Sequence, residues 1–561
     1  MDQKKWRICS AILSLLLISA SADEATSDET ADKFAQLPEE KRKELLEVYN
    51  KSDVHIVHQK LTELRKQWLE KLKNQEVPQS QTLRKRPDMK LVRNLPTENP
   101  PTVLPIHEVN RNANLSEFMY QSDMVLTLTQ LELIARKEED TRARRQAYRD
   151  VYYPNTIWGN TLYYYFDPSA TSTIRTIFTA AAKFWQENTC VKFVENSQAL
   201  NRVRVFKGDG CYSYVGRVGG QQDLSLGKGC ESVGTAAHEL GHALGFFHSQ
   251  SRVDRDSAIT IVLANIQPDF IDQFDKETAS TNYNYGMPYD YGSIMQYGAT
   301  SASRNGGNTM IAKMPSYQQT MGSDIVAFYD ISMMNDHYNC KVQCPREESA
   351  ECQNGGYPNP NDCSVCNCPS GYGGTLCTER PPGCGATYDA TPDYQQLTST
   401  VGDGSMKTKI DFSKCNYWIQ APPGKQVEVR LDSYQGYSVD GCIYGGVEIK
   451  ADPDQLRTGY RFCSPSYTGT TLTSTSNLLP IIVFNRYGST SVAMSYRYID
   501  GEQSNVGDEE PAMTPNVIGS STTTQPRRCV NSFYNCNVLS FFGFCGDPNV
   551  RQRCPRSCNL C

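Results

Sequence analysis

The placement of cysteine constrains this chain more than any other feature of its 561 residues. There are 21 cysteines, and none lies between Asp23 and Thr189. Cys9 sits in the first apolar run; the others, an even number, crowd into the part of the chain from Cys190 onward. Dense, pairable cysteines fit folding in an oxidising compartment. The length exceeds what one hydrophobic core serves, so a multidomain chain is expected: a cysteine-free N-terminal part followed by disulfide-stapled units.

The N-terminus reads as a secretory signal over residues 1–22. Lys4, Lys5 and Arg7 form a basic start, Ile8 to Ile18 is apolar, and Ala20-Ser-Ala22 is a small-residue cleavage site that leaves Asp23 first. The apolar run is short for a bilayer span, and no later stretch is apolar enough. The expectation is a secreted, extracellular protein without a membrane span. With 56 basic and 62 acidic residues, the charge balance gives no electrostatic reason for a nucleic-acid partner.

Residues 23–145 read as a propeptide rich in charge. Apolar residues between Glu39 and Gln75, among them Leu45, Leu61, Leu64, Trp68 and Leu72, recur at helical spacing. Asn50 and Asn114 lie in glycosylation sequons. Arg142-Ala-Arg-Arg145 matches the pattern cut by furin-like convertases, placing cleavage between Arg145 and Gln146. A solvated charge run on a helix is the competing reading. The cluster's position, where the cysteine-free segment gives way to the cysteine-bearing chain, favours cleavage.

Residues 146–340 read as the main α+β domain, with a helix over Ile174–Asn188 and strands at 191–194 and 203–206. Residues 341–378 are cysteine-dense. Residues 384–499 carry short alternating strands, such as Val427–Leu431 and Ile481–Phe484, and predict an all-β sandwich. Residues 500–528 are polar and read as a disordered linker. Residues 529–561 pack six cysteines into a short span.

Residues 235–248 read TAAHELGHALGFFH. On a helix, His238 and His242 are four residues apart and share a face, so two imidazoles can reach one metal. Gly245 ends the helix with a positive φ, and the returning chain brings His248 as third ligand. Three neutral nitrogens leave a fourth position on one Zn²⁺ per domain. Glu239 lies off the ligand face as candidate general base. Of seven histidines in the chain, three fall in this one motif, which argues against incidental core histidines. Downstream, Ser293-Ile-Met-Gln-Tyr297 supplies a methionine turn, with Met295 as a soft floor under the histidines.

At these residues the sequence resembles the astacin family of metzincin zinc peptidases. HELGHALGFFHSQSRVDRD (238–256), YDYGSIMQY (289–297) and GCYSYVGRVGG (210–220) carry the likeness. The resemblance implies a two-lobed catalytic domain, with a mixed sheet and long helices above the cleft and an irregular lobe below. It implies His238, His242 and His248 as zinc ligands, Glu239 as catalytic base and Tyr297 as the tyrosine that stabilises the oxyanion. It also implies disulfides Cys190–Cys340 and Cys211–Cys230. FMYQSDM (118–124) resembles the family's propeptide motif, making Asp123 the zymogen's blocking ligand.

Three departures stand out. Ser249 replaces the glutamate that usually follows the third histidine and receives the mature N-terminal ammonium. Cleavage before Gln146 allows cyclisation to neutral pyroglutamate, so a neutral contact is expected in place of that lock. Gln296 replaces the usual histidine before the Met-turn tyrosine. In the β module, Gly445 stands where many CUB domains have a calcium-binding aspartate, so no calcium site is expected there.

The rear modules resemble those of nematode relatives. Cys344, Cys352, Cys363, Cys366, Cys368 and Cys377 resemble an EGF-like module, and Cys384–Cys415 with Cys442–Cys463 the two disulfides of a CUB sandwich. Cys529, Cys536, Cys545, Cys554, Cys558 and Cys561 resemble a ShK-type module. The implied function is a zinc endopeptidase acting on extracellular-matrix or cuticle protein. The alternatives are an inactive adhesion scaffold, which the intact motif disfavours, and a channel blocker. Residues 529–561 hold no lysine for the Lys–Tyr pair that such toxins use.

Overall fold

The computed structural model describes residues 33–49, 54–73, 105–135, 147–148, 152–277 and 282–501. The signal segment, Asn50, the Arg145–Gln146 bond, residues 502–528 of the linker and the cysteines of 529–561 lie outside the described residues. The chain divides into two units, 1–502 and 503–561, and all described residues belong to the first.

The N-terminal segment contributes helices α1 (Glu39–Val48), α2 (Val54–Lys73) and α3 (Ile106–Asn112), then strand β1 (Met124–Val125) and helix α4 (Leu128–Ala135). The helical periodicity after Glu39 falls on two helices. Leu45, Val54 and Leu61 from α1 and α2, with Leu115, Phe118 and Met119, form an apolar cluster with Phe206, Tyr212, Tyr214 and Phe247 of the main domain. The segment is therefore packed onto the main domain through its own core.

In the main domain, the short strand β2 (Ala147–Tyr148) is followed by β3 (Thr161–Phe166), helix α5 (Ser172–Asn188), β4 (Lys192–Glu195), β5 (Arg202–Phe206), β6 (Cys211–Tyr214), β7 (Gln221–Leu226) and helix α6 (Val233–Ala243). The sheet order is β1-β6-β7-β5-β3-β4, with β6 antiparallel to β7 and the other pairings parallel. Strand β1 of the N-terminal segment completes the edge beyond β6.

Helix α5 begins where the Thr171 hydroxyl accepts the Ile174 N–H at 3.3 Å. Ile174, Ile177, Phe178, Ala181 and Trp185, spaced three to four apart, are buried against the sheet. The Trp185 indole donates to the Ala237 carbonyl at 3.1 Å and ties α5 to α6. The fourth strand starts at Lys192, not Val191: its pairing with β3 begins at Thr161–Lys192, and the Val191 N–H turns to the Thr189 hydroxyl.

Beyond α6 the chain has little regular structure: β8 (Ile259–Ile261), β9 (Asn282–Tyr283), β10 (Met310–Ala312) and helix α7 (Phe328–His337). Cys190 is bonded to Cys340 and Cys211 to Cys230. The first bond joins the end of α5 to the chain just past α7.

Residues 344–377 form a hairpin, β11 (Tyr357–Asn359) and β12 (Asp362–Asn367), stapled by Cys344–Cys363, Cys352–Cys366 and Cys368–Cys377. Its asparagines cap α5: Asn361 Nδ2 donates to the carbonyls of Gln186 and Thr189, both at 2.9 Å, and Asn367 Nδ2 to that of Asn188. These satisfy carbonyls that a helix end leaves open.

The sandwich packs a five-stranded sheet against a four-stranded one. Its core includes Ile419, Val427, Leu431, Ile481, Val483 and Phe484, and Cys384–Cys415 and Cys442–Cys463 are bonded. It sits directly on the irregular lobe: Cys463 N donates to Gln319 Oε1 at 2.9 Å and Arg461 N to Thr320 Oγ1 at 3.1 Å. Gly441 packs backbone to backbone on Gly322, at φ 69°; a Cβ there would lie 1.8 Å from the Gly322 oxygen. No helix among the described residues is long and apolar enough to cross a membrane.

Candidate metal centre

Helix α6 opens where the Ser232 hydroxyl accepts the Thr235 N–H at 2.9 Å. It is buried from Ala236 to its end, including His238, Glu239 and His242. It stops at Gly245, whose φ of 112° suits glycine, and a Cβ there would lie 2.9 Å from His337 Nε2. The chain then turns and delivers His248 to the same point.

The three Nε2 atoms converge: His238 to His242 is 3.0 Å and His238 to His248 is 3.3 Å. Each ring is oriented from behind. His238 Nδ1 donates to the Ile294 carbonyl at 2.8 Å, His242 Nδ1 to the Phe246 carbonyl at 2.7 Å, and His248 Nδ1 to Gln121 Oε1 at 3.0 Å. With Nδ1 carrying the proton, each Nε2 presents a lone pair. Three lone pairs pointed at one spot repel one another unless a cation lies between them. Nitrogens about 2.0–2.1 Å from a tetrahedral zinc stand roughly 3.3 Å apart, close to the separations here. The donor set fits one zinc ion.

Asp123, in the N-terminal segment, is the fourth member of the cluster. Its Oδ2 lies 3.2 Å from His238 Nε2 and 3.1 Å from His248 Nε2, and its Oδ1 lies 3.7 Å from His242 Nε2. Burial takes His248 down to about 4 and lowers His242 as well, which keeps both rings neutral. Gln121 and Ser122, just before Asp123, adopt φ of 50° and 79°. This strained left-handed turn is held from outside: Asn110 Nδ2 donates to the Ser122 carbonyl at 2.8 Å, and Gln273 Nε2 to the Ser122 hydroxyl at 2.5 Å.

Glu239 is buried beside the cluster, with neither carboxylate oxygen engaged by the protein. Burial, with the Asp123 charge beside it, raises its carboxyl well above the ordinary range. Tyr297 donates its hydroxyl to Asp123 Oδ2 and to the Gln121 carbonyl, both at 2.9 Å. Burial and the Asp123 charge keep that phenol protonated. Met295 is fully buried under α6; its sulfur would lie 2.7 Å from a Cβ at Gly241.

Sequence reasoning named these residues but missed their supports. Asp330 of α7 accepts from the Ser293 hydroxyl at 2.6 Å and from the Ile294 N–H at 2.8 Å, pinning the turn above Met295. Ser249 donates to that same Ser293 oxygen at 2.9 Å, so the substituted position joins a hydroxyl chain ending at Asp330. Gln296 accepts from the Tyr289 hydroxyl and donates to the Tyr297 carbonyl at 3.0 Å. From the N-terminal segment, His107 packs its ring 5.5 Å from that of Tyr297 and accepts the Ala302 N–H at 2.9 Å. No spacing pattern marks Asp330 or His107. Gln121 lies inside the FMYQSDM stretch, where the resemblance points to the aspartate alone.

Residues 150–339 match the astacin peptidase family, and residues 384–498 match the CUB domain. Zinc metalloproteinase nas-31 of Caenorhabditis elegans is 53% identical over 466 residues, covering 81% of this chain and 74% of that protein. Zinc metalloproteinase nas-32 of the same organism is 43% identical over 426 residues, covering 74% of this chain and 64% of that protein. Among solved structures, high choriolytic enzyme 1, a hatching enzyme zinc-protease from Oryzias latipes, is 31% identical, covers 34% of this chain and 98% of its own, and has a TM-score of 0.32. The chain belongs to the astacin family and is a zinc metalloendopeptidase carrying a CUB domain.

Proposed function

We propose that the chain is made as a secreted zymogen, with residues 1–22 as signal and 23–145 as propeptide, and that the mature enzyme cleaves extracellular-matrix or cuticle proteins. One observation carries the zymogen reading: the Asp123 carboxylate, from the N-terminal segment, stands at the focus of the three histidines and takes the Tyr297 hydrogen bond. The paired cysteines of residues 190–463 support secretion.

His238, His242 and His248 hold the zinc in this reading. Bound zinc supplies Lewis acidity and lowers the pKa of water. Glu239, buried and unengaged, accepts the proton of the attacking water. Tyr297, once released by Asp123, turns its hydroxyl to the developing oxyanion. Met295 sets the floor beneath the histidines.

Activation is cleavage at Arg145–Gln146 by a furin-like convertase. Ser249 then offers the new N-terminus a hydroxyl rather than a charge, and a neutral, cyclised Gln146 suits it. Residues 341–378 act as an EGF-like module and 529–561 as a ShK-type module; with the CUB domain they select substrate. Asn114, exposed at φ 57°, and Asn50 carry glycan.

The test is convertase treatment of the purified precursor, with N-terminal sequencing and a peptide-cleavage assay on the same sample. Onset of cleavage activity together with a blocked or Gln146 terminus is expected. Full activity before cleavage, or a free terminus elsewhere, overturns the zymogen scheme.

A further inference from the structure

The segment 289–300 lines the histidine cluster, yet contains no helix or strand. It carries the Ile294 carbonyl behind His238, the sulfur of Met295 and the Tyr297 phenol. Irregular backbone keeps one conformation only where outside contacts fix it. Asp330 fixes the middle, and Gln250 Oε1 accepts the Tyr297 N–H at 3.1 Å. Both ends are fixed by the CUB sandwich.

At the front, the buried Asp290 accepts from Thr458 twice, from its N–H at 3.1 Å and its hydroxyl at 3.2 Å. Arg457 Nε donates to the Tyr289 carbonyl at 3.1 Å. The other Asp290 oxygen accepts the Gly292 N–H at 2.9 Å, so the contact passes straight into the turn. The fit is close: a Cβ on Gly292 would lie 2.5 Å from the Thr458 Cβ. At the back, Asp440 accepts both the N–H of Thr300, at 2.7 Å, and its hydroxyl. An aromatic row, Tyr291 stacked on Tyr317 at 4.4 Å and Tyr460 tilted against Tyr317 at 4.5 Å, bridges lobe and sandwich between them.

We propose that the CUB sandwich is a working part of the active site: Thr458 and Asp440 grip the two ends of segment 289–300 and act as positioning residues for Tyr297. This rests on the role given to Tyr297 above. The sandwich then does more than recruit substrate. It holds the turn that aims the phenol and backs the first histidine.

The experiment uses the full-length, convertase-processed enzyme and a short peptide substrate. Thr458→Val keeps the volume and removes the hydroxyl; Asp440→Ala removes the acceptor; the double variant combines them. The double variant should lose kcat about tenfold with KM nearly unchanged, because misaiming a group used in the transition state acts on kcat. Its zinc content should stay at wild type. Thr458→Ser and Asp440→Asn keep a donor and an acceptor and should retain kcat. In a Tyr297→Phe background the tenfold loss should vanish, since there is no phenol left to aim. A double variant with wild-type kcat, or one losing as much in the Phe background, overturns the proposal. If Tyr297→Phe alone keeps full kcat, the role of Tyr297 falls and the inference falls with it. Should the double variant not be secreted, Thr458→Val alone carries the same comparison.

Discussion

Tyr297 and Asp123 stand 174 residues apart in sequence and share a hydrogen bond of 2.9 Å across the metal centre. One carboxylate therefore does two things: it faces the three imidazoles and accepts the hydrogen bond of the Tyr297 phenol.

Asp123→Ala should accordingly make a leaky precursor. Combined with Arg145→Ala to prevent processing, it should cleave a fluorogenic peptide at a rate at least ~10-fold above the Arg145→Ala parent, because it frees both the zinc position and Tyr297. Equal background rates would show that other propeptide contacts, not Asp123, close the site.

Glu239→Gln removes the proposed base while keeping shape. The processed variant should retain zinc and its melting temperature but lose kcat by roughly 10²–10⁴-fold, the usual worth of a positioned acid–base group. Near-normal turnover would assign proton transfer to some other group.

Met295 and Gly241 touch so closely that the floor has no slack. Met295→Leu, nearly isosteric, should cost under about 1.5 kcal/mol, whereas Gly241→Ala should cost about 1–3 kcal/mol through overpacking. Thermal melts of the two variants check this, and a neutral Gly241→Ala would mean that the Met-turn yields freely.

The part of the site that is local in sequence was legible. His238, His242 and Gly245 follow from helix geometry, and Trp185 and Phe178 from apolar spacing. Asp123 and Tyr297 were legible only through family resemblance, because nothing in their own neighbourhoods points at a metal. Asp330, His107 and Thr458 were not legible. Each acts across a gap in sequence, as Thr458 does on Asp290 over 168 residues, and a lone polar residue carries no mark of its distant partner. The effect of Gln296 also needed coordinates, since its amide works through Tyr289 and the Tyr297 carbonyl. The strand expected at 191–194 lies at Lys192–Glu195, where its pairing with Thr161–Tyr164 of β3 runs.

The CUB sandwich should be acid-sensitive through Glu448. Burial resists its charge, but Arg461, at 2.9 Å, and Lys450 outweigh burial and hold its pKa near 2, against 4.5 in the unfolded chain. A depressed folded-state pKa stabilises above pH 4.5, and that stabilisation is lost as pH falls from 4.5 towards 2. Glu448→Gln should start less stable by about 3–5 kcal/mol, having stranded the Arg461 charge, and lose less on acidification. Melting curves from pH 6 to pH 2, about the range the linkage spans, check this; parallel losses in the two proteins would remove Glu448 from the account.

The central claim is that His238, His242 and His248 together hold one zinc. X-ray absorption on the convertase-processed protein, with elemental analysis of the same sample, tests it most directly. The account predicts one zinc per chain with three imidazole nitrogens at about 2.0–2.1 Å. A protein that is folded yet free of transition metal, or a zinc shell containing sulfur, would contradict it.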